Sequence, residues 1–309
     1  MIPAGDATEV ATLTYSIVAR DPATGQLGVA VQSKYFSVGS VVSWAEPGVG
    51  AVATQSMAEI TYGPRGLELM RAGRSASDAL AELLAEDELR DRRQVGMVDA
   101  SGGVTSHTGS GCIDAAGDTR GDGFSCQANL MLNDTVWGAM ARAYQSAPGE
   151  LPDRLLAALN AAEAEGGDLR GRQSVAIVVV GGDSSLPPWR KELELRVEDH
   201  PDPLGEIRRL LGLRRAYDRV DQAEDALLKG GDPAAALRDL EEFAALNDAN
   251  IDFTRAIGLA LTGRSDEARA LVTRLAAVDP GWKVAARRYA DAGVIPDEVG
   301  LVAALTPAD

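Results

Sequence analysis

Two sequence patterns divide this chain, and their order restricts the folds that it can adopt. Between residues 14 and 182, short runs rich in valine and isoleucine alternate with helical runs. Strand pairs are followed by two helices, more strands, two more helices and a strand, unlike the strand–helix–strand repeat of a parallel sheet. The order favours an α+β fold in which sheets are covered by layers of helices.

The predicted strands share β-branched residues and are bounded by Gly, Pro or Asp. They cover residues 14–20, 27–33, 41–45, 49–55, 94–99, 104–108, 124–130 and 174–180. Pro22 and Gly25 give the link after the first strand the chemistry of a hairpin turn. Predicted helices begin near Leu67, Ala79, Val136 and Arg154.

The second half of the chain is predicted to be almost entirely helical. A turn-rich break at residues 183–188 and a last candidate strand at 193–197 precede it. Residues 233–247 and 265–279 resemble each other at an offset of about 32 residues, close to the tetratricopeptide period of about 34. An unrelated small helical bundle is the alternative. We therefore predict a leader (1–13), an α+β domain (14–200) and a helical domain (201–309).

Composition narrows the classes of function. The net charge of −16 disfavours nucleic-acid binding, and no apolar run is long enough to span a membrane. Residues 1–13 lack the basic start and apolar core of a secretory signal, so a cytoplasmic location is expected. The two cysteines and two histidines lack the spacing of metal ligands, so no metal site is expected. The sequence also lacks a dinucleotide-binding or phosphate-loop motif, so no cofactor is expected.

Polar residues interrupt the α+β domain at strand ends, where functional sites are commonly built. The candidates are Thr14, Ser33, Lys34, Thr54, Gln55, His107, Gln127 and Asn129. Each also has a purely structural interpretation. Thr14 can be a β-branched strand residue, Lys34 a surface side chain, and His107 a partly buried strand histidine.

Thr14 stands where an N-terminal-nucleophile hydrolase has its nucleophile, at the start of the first predicted strand. Such enzymes attack with the threonine hydroxyl and use the free α-amino group of the same residue as the base. Here a peptide bond to Leu13 occupies that amino group. The chemistry therefore depends on whether this bond exists in the working protein.

The order of these motifs resembles the domain of unknown function 1028 family, which is grouped by fold with the N-terminal-nucleophile hydrolases. The resemblance covers residues 14 to about 182. It rests on TYSIVARDP at 14–22, GVAVQSK at 28–34, GVGAVATQ at 48–55, YGPRGL at 62–67, HTG at 107–109 with Cys112, GDGF at 121–124 and GRQS at 171–174. It implies a four-layer αββα sandwich. Residues from about 203 onward resemble a helical segment that follows this domain in some members and is labelled as peptidoglycan-binding.

Two departures from the family pattern bear on function. Members typically begin Met-Thr, whereas this chain has thirteen residues before Thr14, and Ala128 replaces a usual glycine between Gln127 and Asn129. The leader has three interpretations: self-cleavage before Thr14, a start codon read as Leu13, or a true extension of a protein without this chemistry. We favour the second, because Leu13 stands where members have methionine.

The resemblance implies an amidohydrolase that acts on a small polar amide without a cofactor. Thr14 would be the nucleophile, Lys34 would lower the pKa of its amino group, and Asn129 or backbone N–H groups near Thr54 and Gln55 would hold the oxyanion. The substrate pocket would include Ser33, Thr54, Gln55, His107 and Gln127.

Other functions remain open at this stage. One is a non-catalytic scaffold whose helices recruit a protein or peptidoglycan partner. Another is a thiol enzyme that uses Cys112 or Cys126. The long helices and large sheets also favour a homodimer.

Overall fold

The structure is a computed structural model that describes residues 9–229 and 231–292, together with residues 303 and 305. Its contacts divide the chain into two compact units, with the boundary between Arg209 and Leu210. The N-terminal unit is a mixture of strands and helices, and the C-terminal unit consists of helices in its described part. The predicted change from mixed to helical structure is confirmed.

The first sheet of the N-terminal unit has five antiparallel strands, of which β5 is central. The strands are β1 (Glu9–Thr12), β4 (Ser43–Glu46), β5 (Gly50–Glu59), β6 (Arg93–Asp99) and β7 (Val104–Thr108). The order is β1-β5-β6-β7, and β4 also pairs with β5. Strand β1 lies within the predicted leader, and its register pairs Thr12 with Ser56.

The second sheet has six antiparallel strands in the order β11-β10-β3-β2-β9-β8. They are β2 (Thr14–Arg20), β3 (Leu27–Ser33), β8 (Gly117–Gly121), β9 (Phe124–Ala128), β10 (Ser174–Val180) and β11 (Leu193–Val197). Its centre pairs Thr14 with Ser33 and Ser33 with Ser174. Residues at one end of β2, β3 and β10 are thereby brought together.

Helices α1 (Tyr62–Arg71) and α2 (Ala76–Glu86) pack on the first sheet, whereas α3 (Val136–Ser146) and α4 (Leu151–Ala164) pack on the second. Ser75 begins α2 as its N-cap, since its hydroxyl accepts a hydrogen bond from the backbone N–H of Asp78. Each pair of helices thus buries apolar side chains against its own sheet.

The two sheets also contact each other, through β2 with β5 and β6 and through β6 with β9. Part of this interface is a fully buried apolar core that includes Val18, Val29 and Val31 from the second sheet and Ala51 and Ala53 from the first. Elsewhere the interface is polar. Five fully buried residues form that part: Ser16, Gln55, Gln94, Gln127 and Asn129.

The C-terminal unit packs its helices in sequence order around a core of its own. They are α5 (Pro203–Leu228, within which the boundary falls), α6 (Pro233–Glu241), α7 (Ala249–Leu261), α8 (Ser265–Val278) and α9 (Trp282–Asp291). In the sequence repeat, Leu240 and the equivalent Val272 are both fully buried, whereas the equivalents Leu246 and Val278 are exposed. Within the described residues, no helix has the length and apolar character needed to cross a bilayer.

Candidate functional site

Thr14 is the first residue of β2, and its side chain is completely buried. Alternation along the strand places Thr14 on the same face as Ser16, which contacts Gln55 of the facing sheet. Among the described residues, the Thr14 hydroxyl has no hydrogen-bond partner. Buried hydroxyl groups are normally paired, so this one is a candidate reactive group.

The backbone of Thr14 is held from both sheets through its carbonyl oxygen. This oxygen accepts a hydrogen bond from the backbone N–H of Asn129 (3.0 Å) and longer bonds from the side-chain amides of Gln55 (3.2 Å) and Asn129 (3.4 Å). Gln55 and Asn129, which the sequence analysis assigned to the site, therefore position the backbone of Thr14.

The peptide bond before Thr14 is held by a second set of donors. The Leu13 carbonyl oxygen accepts bonds of 2.7 Å from both the Ser33 hydroxyl and Nη2 of Arg170. The carboxylate of Asp168, whose side chain is fully buried, fixes the guanidinium of Arg170 at 2.8 Å and 3.1 Å. Asp168 also accepts the backbone N–H of Lys34 at 3.0 Å. Arg170 is thus a fixed donor directed at Leu13.

An amide network fills the interface behind Thr14. The side-chain oxygen of Gln94 accepts from Gln55 (2.7 Å) and Asn129 (2.9 Å), which lie on opposite sheets. Ser16 donates to Gln55 (2.6 Å) and accepts from Gln127 (2.9 Å). Gln127, predicted to line a substrate pocket, is therefore fully buried in a network that joins the sheets.

Three other predicted site residues form their contacts elsewhere. The Lys34 ammonium is exposed and reaches the backbone carbonyl of Arg172 at 3.4 Å. The Thr54 hydroxyl donates to the carbonyl oxygen of Glu59 at 3.1 Å. It points away from the Gln55 side chain, because adjacent residues of β5 lie on opposite faces. A ring nitrogen of His107 lies 2.8 Å from the carbonyl oxygen of Arg90.

Sequence reasoning missed Gln94, Asp168 and Arg170. Gln94 carries a detectable signal, since it is a polar residue that leads directly into the apolar strand segment at 95–98. Asp168 and Arg170 lie in the connection between α4 and β10, where their sequence resembles any polar loop. Only the pairing of β10 with β3 shows that this connection reaches Leu13.

Two surface cavities of the N-terminal unit lie outside this cluster, and neither includes Thr14. One, of about 460 Å³, is lined by Thr108, Cys112 and Trp137 among others, and the Thr108 hydroxyl accepts from Gln94 at 3.0 Å. The larger, of about 600 Å³, lies near Glu46 and contains none of the predicted site residues.

Both cysteine thiols are buried, which affects their acidity. Burial raises the pKa of Cys112, and it raises the pKa of the fully buried Cys126 much further, so neither favours a thiolate. In the part of the chain that the structure describes, no group of three or more His, Cys, Asp or Glu side chains could hold a metal ion.

Residues 14–207 match the family model described as a family of unknown function, DUF1028. The chain belongs to the DUF1028 family. The match begins at Thr14, so residues 1–13 lie outside the matched segment.

A solved structure agrees with this assignment. The chain is similar to the crystal structure of a DUF1028 protein from Silicibacter pomeroyi, with 31% sequence identity and a TM-score of 0.58. The similarity covers 65% of this chain and 88% of that one. No curated protein matches this DUF1028 chain.

Proposed function

We propose that this DUF1028 protein is an N-terminal-nucleophile amidohydrolase with Thr14 as the nucleophile and a small polar amide as the substrate. The observation that carries the proposal is the buried Thr14 hydroxyl without a hydrogen-bond partner among the described residues. It lies at the start of a central strand whose backbone is fixed from two sheets. The two helix-covered sheets are, in this proposal, the four-layer αββα sandwich of that enzyme class.

The reaction requires an α-amino group that is no longer acylated by Leu13. The free amine, with an ordinary pKa of about 8, takes the hydroxyl proton as the Thr14 oxygen attacks the amide carbon. The tetrahedral intermediate collapses to an ester on Thr14, and the leaving amine receives the proton. Water then hydrolyses the ester, releasing an acid and regenerating the threonine.

The contacts refine the roles that the sequence analysis assigned. Asn129 and Gln55 act by positioning Thr14, because their side-chain amides donate to its carbonyl. Lys34 acts at most through its charge, since its ammonium bonds the carbonyl of Arg172. Gln127 acts through the inter-sheet network.

The proposed reaction requires that a substrate can reach the Thr14 hydroxyl. Thr14 has no exposed surface in the chain that carries the leader, so an incoming amide has no route to its hydroxyl. Residues 9–12 pair with β5, and Leu13 contacts Ser33 and Arg170. Cleavage before Thr14, or translation that starts at Leu13 followed by removal of methionine, would open the site.

The proposal is tested in two steps. Intact mass spectrometry of protein from the native host is expected to show a chain that begins at Thr14. Protein that begins there is then incubated with primary amides and N-acylated amines, and amine release is compared with that of the Thr14→Ala variant. Full activity in Thr14→Ala would reject Thr14 as the nucleophile.

The burial of Thr14 also favours a second candidate function. If the native protein retains residues 1–13, the same fold serves as a non-catalytic scaffold, and the tetratricopeptide-like helices recruit a protein or peptidoglycan partner. A native mass that includes the leader, together with amide turnover that stays at background, would support this alternative over the hydrolase.

A further inference from the structure

We propose that Ser33 and Arg170 form an acyl-oxygen subsite, which the carbonyl of Leu13 fills in the full chain. In a chain that begins at Thr14, the subsite takes the carbonyl oxygen of the substrate and then a carboxylate oxygen of the acid product. The proposal rests on the proposed function. It assigns Ser33, which the sequence placed in the substrate pocket, a contact with the reacting group, and it adds Arg170.

The geometry of the donors supports this role. The Ser33 hydroxyl and Nη2 of Arg170 each lie 2.7 Å from the Leu13 oxygen, within the range of donors that stabilise an oxyanion. That oxygen belongs to the acyl group directly attached to Thr14. An acyl group attacked by the Thr14 hydroxyl must occupy the same neighbourhood, because the hydroxyl and the amino group belong to one residue.

The subsite is rigid because Asp168 fixes Arg170. The two side chains share two hydrogen bonds, and the backbone N–H of Arg170 donates a third bond of 2.9 Å to the same carboxylate. A guanidinium held in this way loses little rotational freedom when it binds an oxygen. Arg170 is also about one-third exposed (34%), so a ligand can approach it from solvent.

The surroundings of Thr14 independently indicate that a polar group belongs there. The Thr14 hydroxyl and Oδ1 of Asn129 are buried and have no hydrogen-bond partner among the described residues. Both residues remain in a chain that begins at Thr14, and the Asn129 amide also contacts the Thr14 carbonyl oxygen, whereas buried polar atoms are usually paired. A small acyl group with its own donors and acceptors would satisfy them.

The first experiment uses the full chain. Deuterium uptake of residues 9–13 is compared in the wild type, Arg170→Gln and Arg172→Gln. The matched control, Arg172, is half-exposed and pairs with Glu163 and Asp202 instead. Arg170→Gln is expected to speed exchange about tenfold, since a charge-assisted anchor is lost, and Arg172→Gln to leave it unchanged. Equal uptake in all three proteins would overturn the occupancy of the subsite by Leu13.

The second experiment uses protein that begins at Thr14, with acetate as the probe. Removal of residues 1–13 leaves the second sheet complete and takes only the edge strand β1 from the first, and circular dichroism verifies the fold. Acetate is expected to shift saturably the backbone N–H resonance of Ser33, a residue that pairs with Thr14 and is kept in every variant. Its affinity should fall about tenfold or more in Arg170→Gln and be unchanged in Arg172→Gln.

The outcomes separate this subsite from the proposed function. Acetate that binds equally well with and without Arg170 overturns the subsite, whatever the protein hydrolyses. Acetate binding that depends on Arg170 in a protein without amide turnover keeps the subsite and rejects the hydrolase. Thr14→Ala is expected to retain acetate binding, because the two donors lie on Ser33 and Arg170.

Discussion

The side-chain amide of Asn129 donates a 2.9 Å hydrogen bond to the side-chain oxygen of Gln94, and this bond joins the two sheets behind Thr14. Asn129 directly follows β9 of the second sheet, and Gln94 belongs to β6 of the first. Both side chains are fully buried, so water cannot replace either hydrogen-bonding partner. The bond between Gln94 and Asn129 therefore helps to position the Thr14 backbone, because Asn129 also donates to the Thr14 carbonyl oxygen.

Gln94→Leu is expected to destabilise the N-terminal unit strongly. The substitution removes the acceptor that Gln55 and Asn129 share and leaves their amides only longer bonds to backbone carbonyl oxygens. The free energy of unfolding should fall by about 2–4 kcal/mol, measured by urea denaturation. Gln145→Leu, on the exposed side of α3, is the matched control and should change it by less than about 0.5 kcal/mol. Similar values for both variants would contradict the role of the network.

Thr14→Val is expected to leave the full-length protein at least as stable as the wild type. Because the Thr14 hydroxyl is buried and lacks a described partner, replacing it with a methyl group should leave the free energy of unfolding unchanged or raise it by up to about 1 kcal/mol. The comparison is Ser16→Ala, which removes a hydroxyl bonded to Gln55 and Gln127 and should cost about 1–2 kcal/mol. Thermal unfolding of the two full-length variants measures this. A large loss of stability in Thr14→Val would show that the hydroxyl has a structural partner.

Asp99 is expected to make stability depend on acid pH. Burial alone would raise the pKa of Asp99, but hydrogen bonds from Ser101 and from the N–H groups of Ala76 and Gly103 outweigh it, and the pKa lies below its ordinary value of 3.8. A carboxyl whose folded pKa is lowered contributes stability above its unfolded pKa, and this is lost as pH falls through the folded pKa.

The Asp99 prediction is measured as the difference in unfolding free energy between the wild type and Asp99→Asn. This difference should be constant between about pH 5 and 7 and shrink below about pH 4. Glu88→Gln, at an exposed position, is the control for general charge effects. A difference that stays the same through the acid range would show that Asp99 does not supply the pH dependence.

The sequence repeat of the C-terminal unit predicts high sensitivity to substitution at its equivalent buried positions and low sensitivity at its exposed ones. Leu240→Ala should lower the stability of this unit by about 2–5 kcal/mol, and Val272→Ala should act in the same direction with a smaller effect, since both side chains are fully buried. Val278 is 88% exposed, so Val278→Ala should be nearly neutral. Far-ultraviolet circular dichroism of thermally unfolding protein measures all three. Equal effects would show that the repeat does not define the core.

The strands with clear sequence patterns were predicted, and β1 and β8 were missed. The predicted runs 14–20, 27–33, 104–108 and 174–180 are strands with the same bounds, because each is β-branched and ends at a turn. Strands β1 and β8 were not predicted, since they are short and contain few apolar residues. Both are edge strands whose pairing with a neighbour defines them.

The candidate site was predicted in part, for a reason that the strand geometry makes clear. Ser33, Gln55 and Asn129 do surround Leu13 and Thr14, whereas Thr54 and His107 point away because adjacent strand residues alternate between faces. Sequence position alone did not show which member of the pair Thr54 and Gln55 would face the other sheet. The packing of β5 against β2 decides it, since the Gln55 side chain contacts Thr14 and Ser16 of the second sheet.

The sequence by itself determined that Thr14 begins a strand and that the segment behind it has the motifs of its family, since both depend on local order along the chain. The tertiary structure alone decided what surrounds Thr14. Arg170 is 157 residues from Leu13 in sequence, yet its guanidinium reaches the Leu13 carbonyl. It does so because β3 pairs with both β2 and β10, which places the connection before Ser174 beside Thr14. No local pattern encodes such a long-range pairing.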